Sequence, residues 1–212
     1  MKKRIHLISN VVLAVMVFSI WILSFFFWRG DSELSVNGWS DLKYFTVLSN
    51  LFVGVVAIIW LVMYAWKRKV PTWLSVLKYT AAASVFVTFT VVVVFLGPLY
   101  GYGRMYRGAN LFFHLIVPVY SVAETVLFEE EISFKQSFFA MVPPCIYGIG
   151  YVTNCLVNGI GEWPNRNDWY SFLEWGYGVG VVVFIVICAV AWGLGLAVRA
   201  LNKKALTINW RD

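Results

Sequence analysis

Residues 42–66, LKYFTVLSNLFVGVVAIIWLVMYAW, decide the fold. Lys43 is the one charged residue in the stretch. A membrane helix needs about 20 mostly apolar residues, and this run supplies them. Five further stretches read the same way, at about 7–28, 74–97, 110–128, 136–157 and 175–198. Their even spacing leaves no room for a soluble domain. The expected fold is an all-α membrane protein, a six-transmembrane-helix bundle, with residues 1–212 forming one polytopic domain.

Composition agrees. Of the 212 residues, 60% are hydrophobic and 13% charged, and the mean hydropathy is +0.74. A soluble domain carries about a quarter charged residues, so this chain cannot cover its surface with polar groups. The first span follows Met1-Lys2-Lys3-Arg4 as a signal peptide would. Its apolar core is too long for that, and no small-x-small cleavage site follows Trp28, so it reads as a retained helix.

The net charge of +6 invites a nucleic-acid reading. Placement of the charges decides against it. With a cytoplasmic N-terminus, the inner segments hold most of the basic residues, including Lys2, Lys3, Arg4, Lys67, Arg68, Lys69, Lys78, Lys135, Arg199, Lys203, Lys204 and Arg211. The outer segments hold Arg29, Lys43, Arg104, Arg107 and Arg166. Both termini are therefore expected in the cytoplasm, and the basic charge is a topology and anionic-lipid signal. Trp28, Trp39, Trp66, Trp73, Trp163, Trp169 and Trp175 lie near span ends, as an aromatic belt requires. A cell-membrane, multi-pass protein with membrane lipids as its partners is the expectation, with no nucleic acid.

Polar residues inside spans carry the functional information, because the bilayer makes them costly. His6 sits beside Lys2, Lys3 and Arg4 and reads as a solvated or headgroup-contacting residue. His114 lies about five residues inside the fourth span. Lys43, Thr46, Asn50 and Gly54 recur at helical spacing in the second span, and His114, Pro118, Ser121 and Thr125 in the fourth. Glu124 borders the latter stripe and is thin material for a proton relay. Both spans run inward from the outer side. Thr46 and His114 then lie roughly 7–8 Å into their helices, at about 1.5 Å of rise per residue. If the two faces meet, the pair is a hydroxyl nucleophile with an imidazole base. Spacing alone equally fits a threonine that bonds its own helix. Asn50, Asn110, Arg107 and Ser49 are possible oxyanion or supporting groups. Phe45, Leu48, Phe112, Phe113 and Ile116 are expected to line an acyl channel, though each fits plain packing as well.

Several chemistries lack their residues. There is no HExxH, GxSxG, Walker A or GxGxxG pattern. Asp31, Asp41, Asp168 and Asp212 lie at or beyond span ends, which argues against an intramembrane aspartyl dyad. Cys145, Cys155 and Cys188 show no metal spacing. No metal or cofactor is implied. Gly176 and Gly180 form a GxxxG, a packing signal. The loops 98–109 and 158–174 are expected to roof the outer end.

The segments KYFTVLSNLFV (43–53), NLFFHLIVPVYSVAETVLFEE (110–130) and NDWYSFLEWGYG (167–178) resemble the androgen-induced protein family of integral membrane proteins, which has bacterial relatives. The resemblance runs along nearly the whole chain, and its first two segments are the most specific. It implies a multipass threonine hydrolase cleaving fatty acid esters of hydroxy fatty acids, with Thr46 as nucleophile and His114 as its partner. The late segment departs from the family by having less proline around Trp169 and Tyr170. The expected function is hydrolysis of such lipid esters. The alternatives are acyl transfer by the same pair, or non-catalytic lipid or sterol binding or small-molecule transport.

Overall fold

The structure is a computed structural model, and it describes residues 2–26, 39–67, 70–162 and 166–208. Trp28, Arg29, Asp31, Arg68, Lys69, Trp163, Arg211 and Asp212 lie outside the described residues. Among the described residues, six helices are long and apolar enough to cross a membrane: α1 Lys2–Phe26, α2 Phe45–Trp66, α3 Thr72–Tyr100, α4 Ala109–Phe128, α5 Lys135–Asn158 and α6 Tyr177–Thr207. The chain is an all-α six-helix bundle, and by these spans a multi-pass membrane protein. His6 near the start of α1 meets Glu124 near the end of α4, and Asn202 late in α6 donates to the Glu129 carbonyl. Both chain ends therefore share one end of the bundle, called here the terminal end.

α3 is the hub, in contact with α2, α4, α5 and α6, while α1 packs on α2 and α4. Its middle reads Tyr79-Thr80-Ala81-Ala82-Ala83-Ser84, all buried. Small side chains let neighbouring backbones approach closely where lipid supplies no hydrophobic drive. α6 closes on α3 at Gly195, where an added Cβ would collide with the Tyr79 hydroxyl and with Ala140. The GxxxG expectation changes accordingly. Gly176 precedes α6 with φ 94°, and an added Cβ on Gly180 would meet Leu173 of the preceding loop, not another helix.

Two spans carry a π-helical turn, Val92–Leu96 in α3 and Phe112–Ile116 in α4. Pro98 and Pro118 explain them. Proline has no N–H to give to the carbonyl four residues back, and its ring crowds that carbonyl. Those carbonyls belong to Val94 and His114, each inside its π turn. The extra residue in the turn re-aims the helix, as π-bulges often do at functional sites.

Boundaries differ from expectation where the chain coils differently. α1 starts at Lys2, and α6 continues to Thr207. Lys43 belongs to a separate 3-10 turn, Trp39–Lys43, so the polar stripe on α2 begins at Thr46. The 98–109 loop is largely helical, ending α3 at Tyr100 and adding the turn Tyr102–Met105. Trp39, Trp66, Trp73 and Trp175 are exposed, as a belt requires. Trp169 is half-buried, and its indole N–H donates to the Tyr147 hydroxyl at 2.9 Å. The Cys145 and Cys188 thiols lie 3.0 Å apart between α5 and α6.

Candidate functional site

Thr46 is the second residue of α2, half-buried. What sets the start of α2 is the late segment. The Tyr147 hydroxyl donates to the Lys43 carbonyl at 2.6 Å, and the Phe45 N–H donates to the Tyr170 hydroxyl at 3.0 Å. Tyr170 thus caps the helix in place of the usual Ser, Thr, Asp or Asn. Burial pushes its phenol up to about 12, so the hydroxyl stays protonated. Asp168, fully buried, holds this loop together. Its carboxylate accepts the Tyr151 hydroxyl and the N–H groups of Phe172 and Leu173, the latter two at 3.0 Å.

At a helix start the first N–H groups have no intrahelical acceptor. Val47 and Leu48 donate back to the Tyr44 carbonyl. Among the described residues, the Thr46 N–H and the Thr46 hydroxyl have no hydrogen-bond partner. A free hydroxyl and a free N–H on the same residue, at the positive end of a helix, favour developing negative charge there.

His114 lies in the π turn of α4 and is 5% exposed. Its Nδ1 is 2.7 Å from the Met105 carbonyl. A carbonyl only accepts, so Nδ1 carries the hydrogen, and in the neutral ring Nε2 carries the lone pair. The loop between α3 and α4 thereby sets the tautomer, as a carboxylate or carbonyl does for a working histidine. The roof expected over this end is present on the His114 side through Met105, which is fully buried.

Asn50 joins the two residues. It is fully buried, and its amide donates to the Thr46 carbonyl at 2.7 Å and the Phe113 carbonyl at 3.0 Å. The bond ties the turn bearing Thr46 to the residue before His114, so the two spans are held at one level. The structure records no hydrogen bond between Thr46 and His114 themselves. Asn50 spends both amide hydrogens on these carbonyls, so it has none for an oxyanion, and its Oδ1 is buried without a partner. Asn50→Ala is expected to cost about 1–3 kcal/mol by removing the bond from α2 to the Phe113 carbonyl of α4. A thermal shift in detergent reads it, and unchanged stability would mean the clamp carries no weight.

The other supporting residues separate. The Ser49 hydroxyl bonds the Thr46 carbonyl at 3.1 Å and the Thr88 hydroxyl of α3 at 3.1 Å, so it stitches α2 to α3. Asn110 is buried one turn before His114 on α4. Arg107 is exposed, with no side-chain bond to either residue.

The single acyl channel does not form as expected. A cavity of about 840 Å3 opens between α2, α3 and α5. Phe45, Leu48 and Ser49 of α2 line it, with Leu77 of α3 and Ile146 and Tyr147 of α5. Phe113 is fully buried in the core, and Phe112 packs against that core. With Ile116 they lie on α4, and none of the three lines the cavity. The physical reason is helical phase. Positions 45, 48, 49 and 52 share one face of α2, whereas Thr46 and Asn50 turn toward α4.

A second polar cluster sits at the terminal end. Lys78 of α3 contacts Glu124 of α4, Glu129 at 3.2 Å and Asn10 Oδ1 of α1 at 2.8 Å. His6 Nε2 lies 2.8 Å from Glu124 and 3.1 Å from Glu129. His6 is therefore not a solvated interface residue. It stacks on Phe128 and tilts onto Trp60. No spacing rule pairs positions 6, 78, 124 and 129, so only the fold could reveal the cluster.

Comparison of the chain with protein-family models, curated proteins and solved structures returns no match.

Proposed function

We propose that the chain is an integral-membrane lipid-ester hydrolase with Thr46 as nucleophile and His114 as base. Its substrates would be fatty acid esters of hydroxy fatty acids or similar acyl esters. The observation that carries the reading is the clamp between α2 and α4. Asn50 holds the free Thr46 hydroxyl level with a histidine whose Nδ1–H is committed to Met105. The segments YFTVLSN and LFFHLIVP, which resemble the androgen-induced family, support it from the sequence side.

In the reaction, His114 Nε2 takes the Thr46 proton and the alkoxide oxygen attacks the ester carbonyl. The carbonyl oxygen becomes an oxyanion, and the Thr46 N–H at the start of α2 is its donor. His114 returns the proton to the departing alcohol, leaving an acyl-threonine. Water, activated by the same imidazole, releases the fatty acid. An acceptor alcohol in place of water would make the same site an acyltransferase.

A fluorophosphonate probe tests this. Peptide mapping should place the label on Thr46, and Thr46→Ala and His114→Ala should both lose it. Absence of label on folded protein would sink the nucleophile assignment.

A second reading, lipid binding without catalysis, is favoured by the apolar cavity on the other face of α2. The two readings separate in one variant. Val76→Trp fills the cavity and should weaken retention of a photoreactive fatty acid about tenfold, roughly 1.4 kcal/mol. If hydrolysis of a short ester survives that change, the cavity is not the reaction site.

A further inference from the structure

We propose that His6, Lys78, Glu124 and Glu129 form a proton-binding site at the terminal end of the bundle, loaded through His6. Nothing in the hydrolase reading uses these residues, and the proposal does not rest on it.

The site is built from three helices. The side chains of Lys78, Glu124 and Glu129 are 4%, 1% and 2% exposed, whereas His6 is 13% exposed. His6 is the member of the cluster with access to water. Its ring stacks on Phe128 at 5.1 Å and packs tilted against Trp60 at 4.3 Å between ring centres. Nε2 points inward at the two carboxylate oxygens. A carboxylate accepts, so Nε2 carries a hydrogen, and Nδ1 is the position that gains or loses the second one. Imidazole is the side chain whose charge changes between about pH 5 and pH 8.

The groups that face this ring are known from every side. α4 and its end contribute Glu124 and Glu129, which favour the charged ring. α3 contributes Lys78, whose Nζ lies 3.3 Å from Nε2 and opposes it. α2 contributes Trp60, which is uncharged. Lys2, Lys3 and Arg4 precede it on α1. Glu124 Oε2 is buried with no hydrogen-bond partner, an acceptor left open inside the cluster. Ionisable groups buried inside a helix bundle of a membrane protein are costly and often mark sites.

A metal ion is the rival cation. Donor atoms of His6, Glu124 and Glu129 lie within 4.8 Å of one another. Lys78 Nζ already stands among them, and Asn10 Oδ1 orients it at 2.8 Å. A divalent ion would be repelled by that ammonium at contact distance. A proton adds its charge on the ring edge without displacing it.

Trp60 reports the event, because an imidazolium against an indole quenches its emission. The full-length protein in nanodiscs is titrated by tryptophan fluorescence from about pH 8 to about pH 5, alongside Trp60→Phe and His6→Gln. A quenching step should appear as pH falls and be missing from both variants. His6→Gln retains a donor toward the carboxylates, so the cluster still forms. Glu124→Gln should move the step to lower pH, since a charge favouring the imidazolium is gone. A flat titration, or a step that survives in His6→Gln, overturns the proposal. So does micromolar zinc or manganese binding that depends on His6, Glu124 and Glu129, which would assign the cluster to a metal.

Discussion

Thr46→Ala is expected to lower kcat for ester hydrolysis by at least about a thousandfold, the scale lost when a nucleophile is removed. The fold should hardly notice. The Thr46 hydroxyl makes no hydrogen bond among the described residues, and the side chain is half-buried. Stability should stay within about 0.5 kcal/mol of the parent. Thr46→Ser should keep part of the activity, because the hydroxyl remains while a methyl is lost. His114→Ala should lose as much activity and also destabilise. It removes a buried ring and leaves the Met105 carbonyl dry, costing about 1–3 kcal/mol. Steady-state hydrolysis and thermal unfolding of the same preparations separate these effects. Full activity in Thr46→Ala would overturn the assignment of Thr46 as nucleophile.

The largest effect on stability is expected from Lys78→Met. The ammonium is 4% exposed and faces two buried carboxylates. Breaking such a pair by removing one partner costs about 3–5 kcal/mol, a Tm drop of roughly 10 °C for a chain of this size. The loss should depend on pH. Burial pushes the Glu129 carboxyl up, but Lys78 and His6 outweigh it and hold it well below the usual carboxylate range. Without Lys78 the carboxyl binds a proton more readily. The folded state then suffers most at high pH, where the carboxylate is charged, and recovers as pH falls. Lys78→Met with Glu124→Leu should regain part of the stability, since one of the two stranded charges is replaced by an apolar group of similar volume and Glu129 keeps His6 beside it. Thermal unfolding of both variants across pH tests this, and wild-type stability in Lys78→Met would show the pair to be dispensable.

These predictions differ in how far the sequence foreshadowed them. The apolar run at 42–66 and its five companions dictated six spans, because lipid requires each segment to satisfy its own backbone. That requirement is local, so it is written in consecutive residues. The buried stripe His114, Pro118, Ser121 and Thr125 was equally plain, since one helical face repeats every three or four residues. The expectation that Thr46 and His114 share a level came from counting residues into each span.

Distances across the bundle were not in the sequence. Asn50 suggested an oxyanion donor by proximity, yet its amide is consumed by carbonyls on two helices. His6 looked solvated beside three basic residues, yet the chain folds Glu124 and Glu129 against it. Phe45 and Phe113 both read as channel lining, yet Phe45 lines the cavity while Phe113 of α4 is buried in the core. Composition and periodicity determined that the chain spans a membrane six times and which stripe of α4 is buried. Tertiary structure decided which buried face meets which. That choice depends on contacts between residues far apart in the chain, such as Tyr170 at the start of α2 and Met105 on His114, which no local pattern encodes.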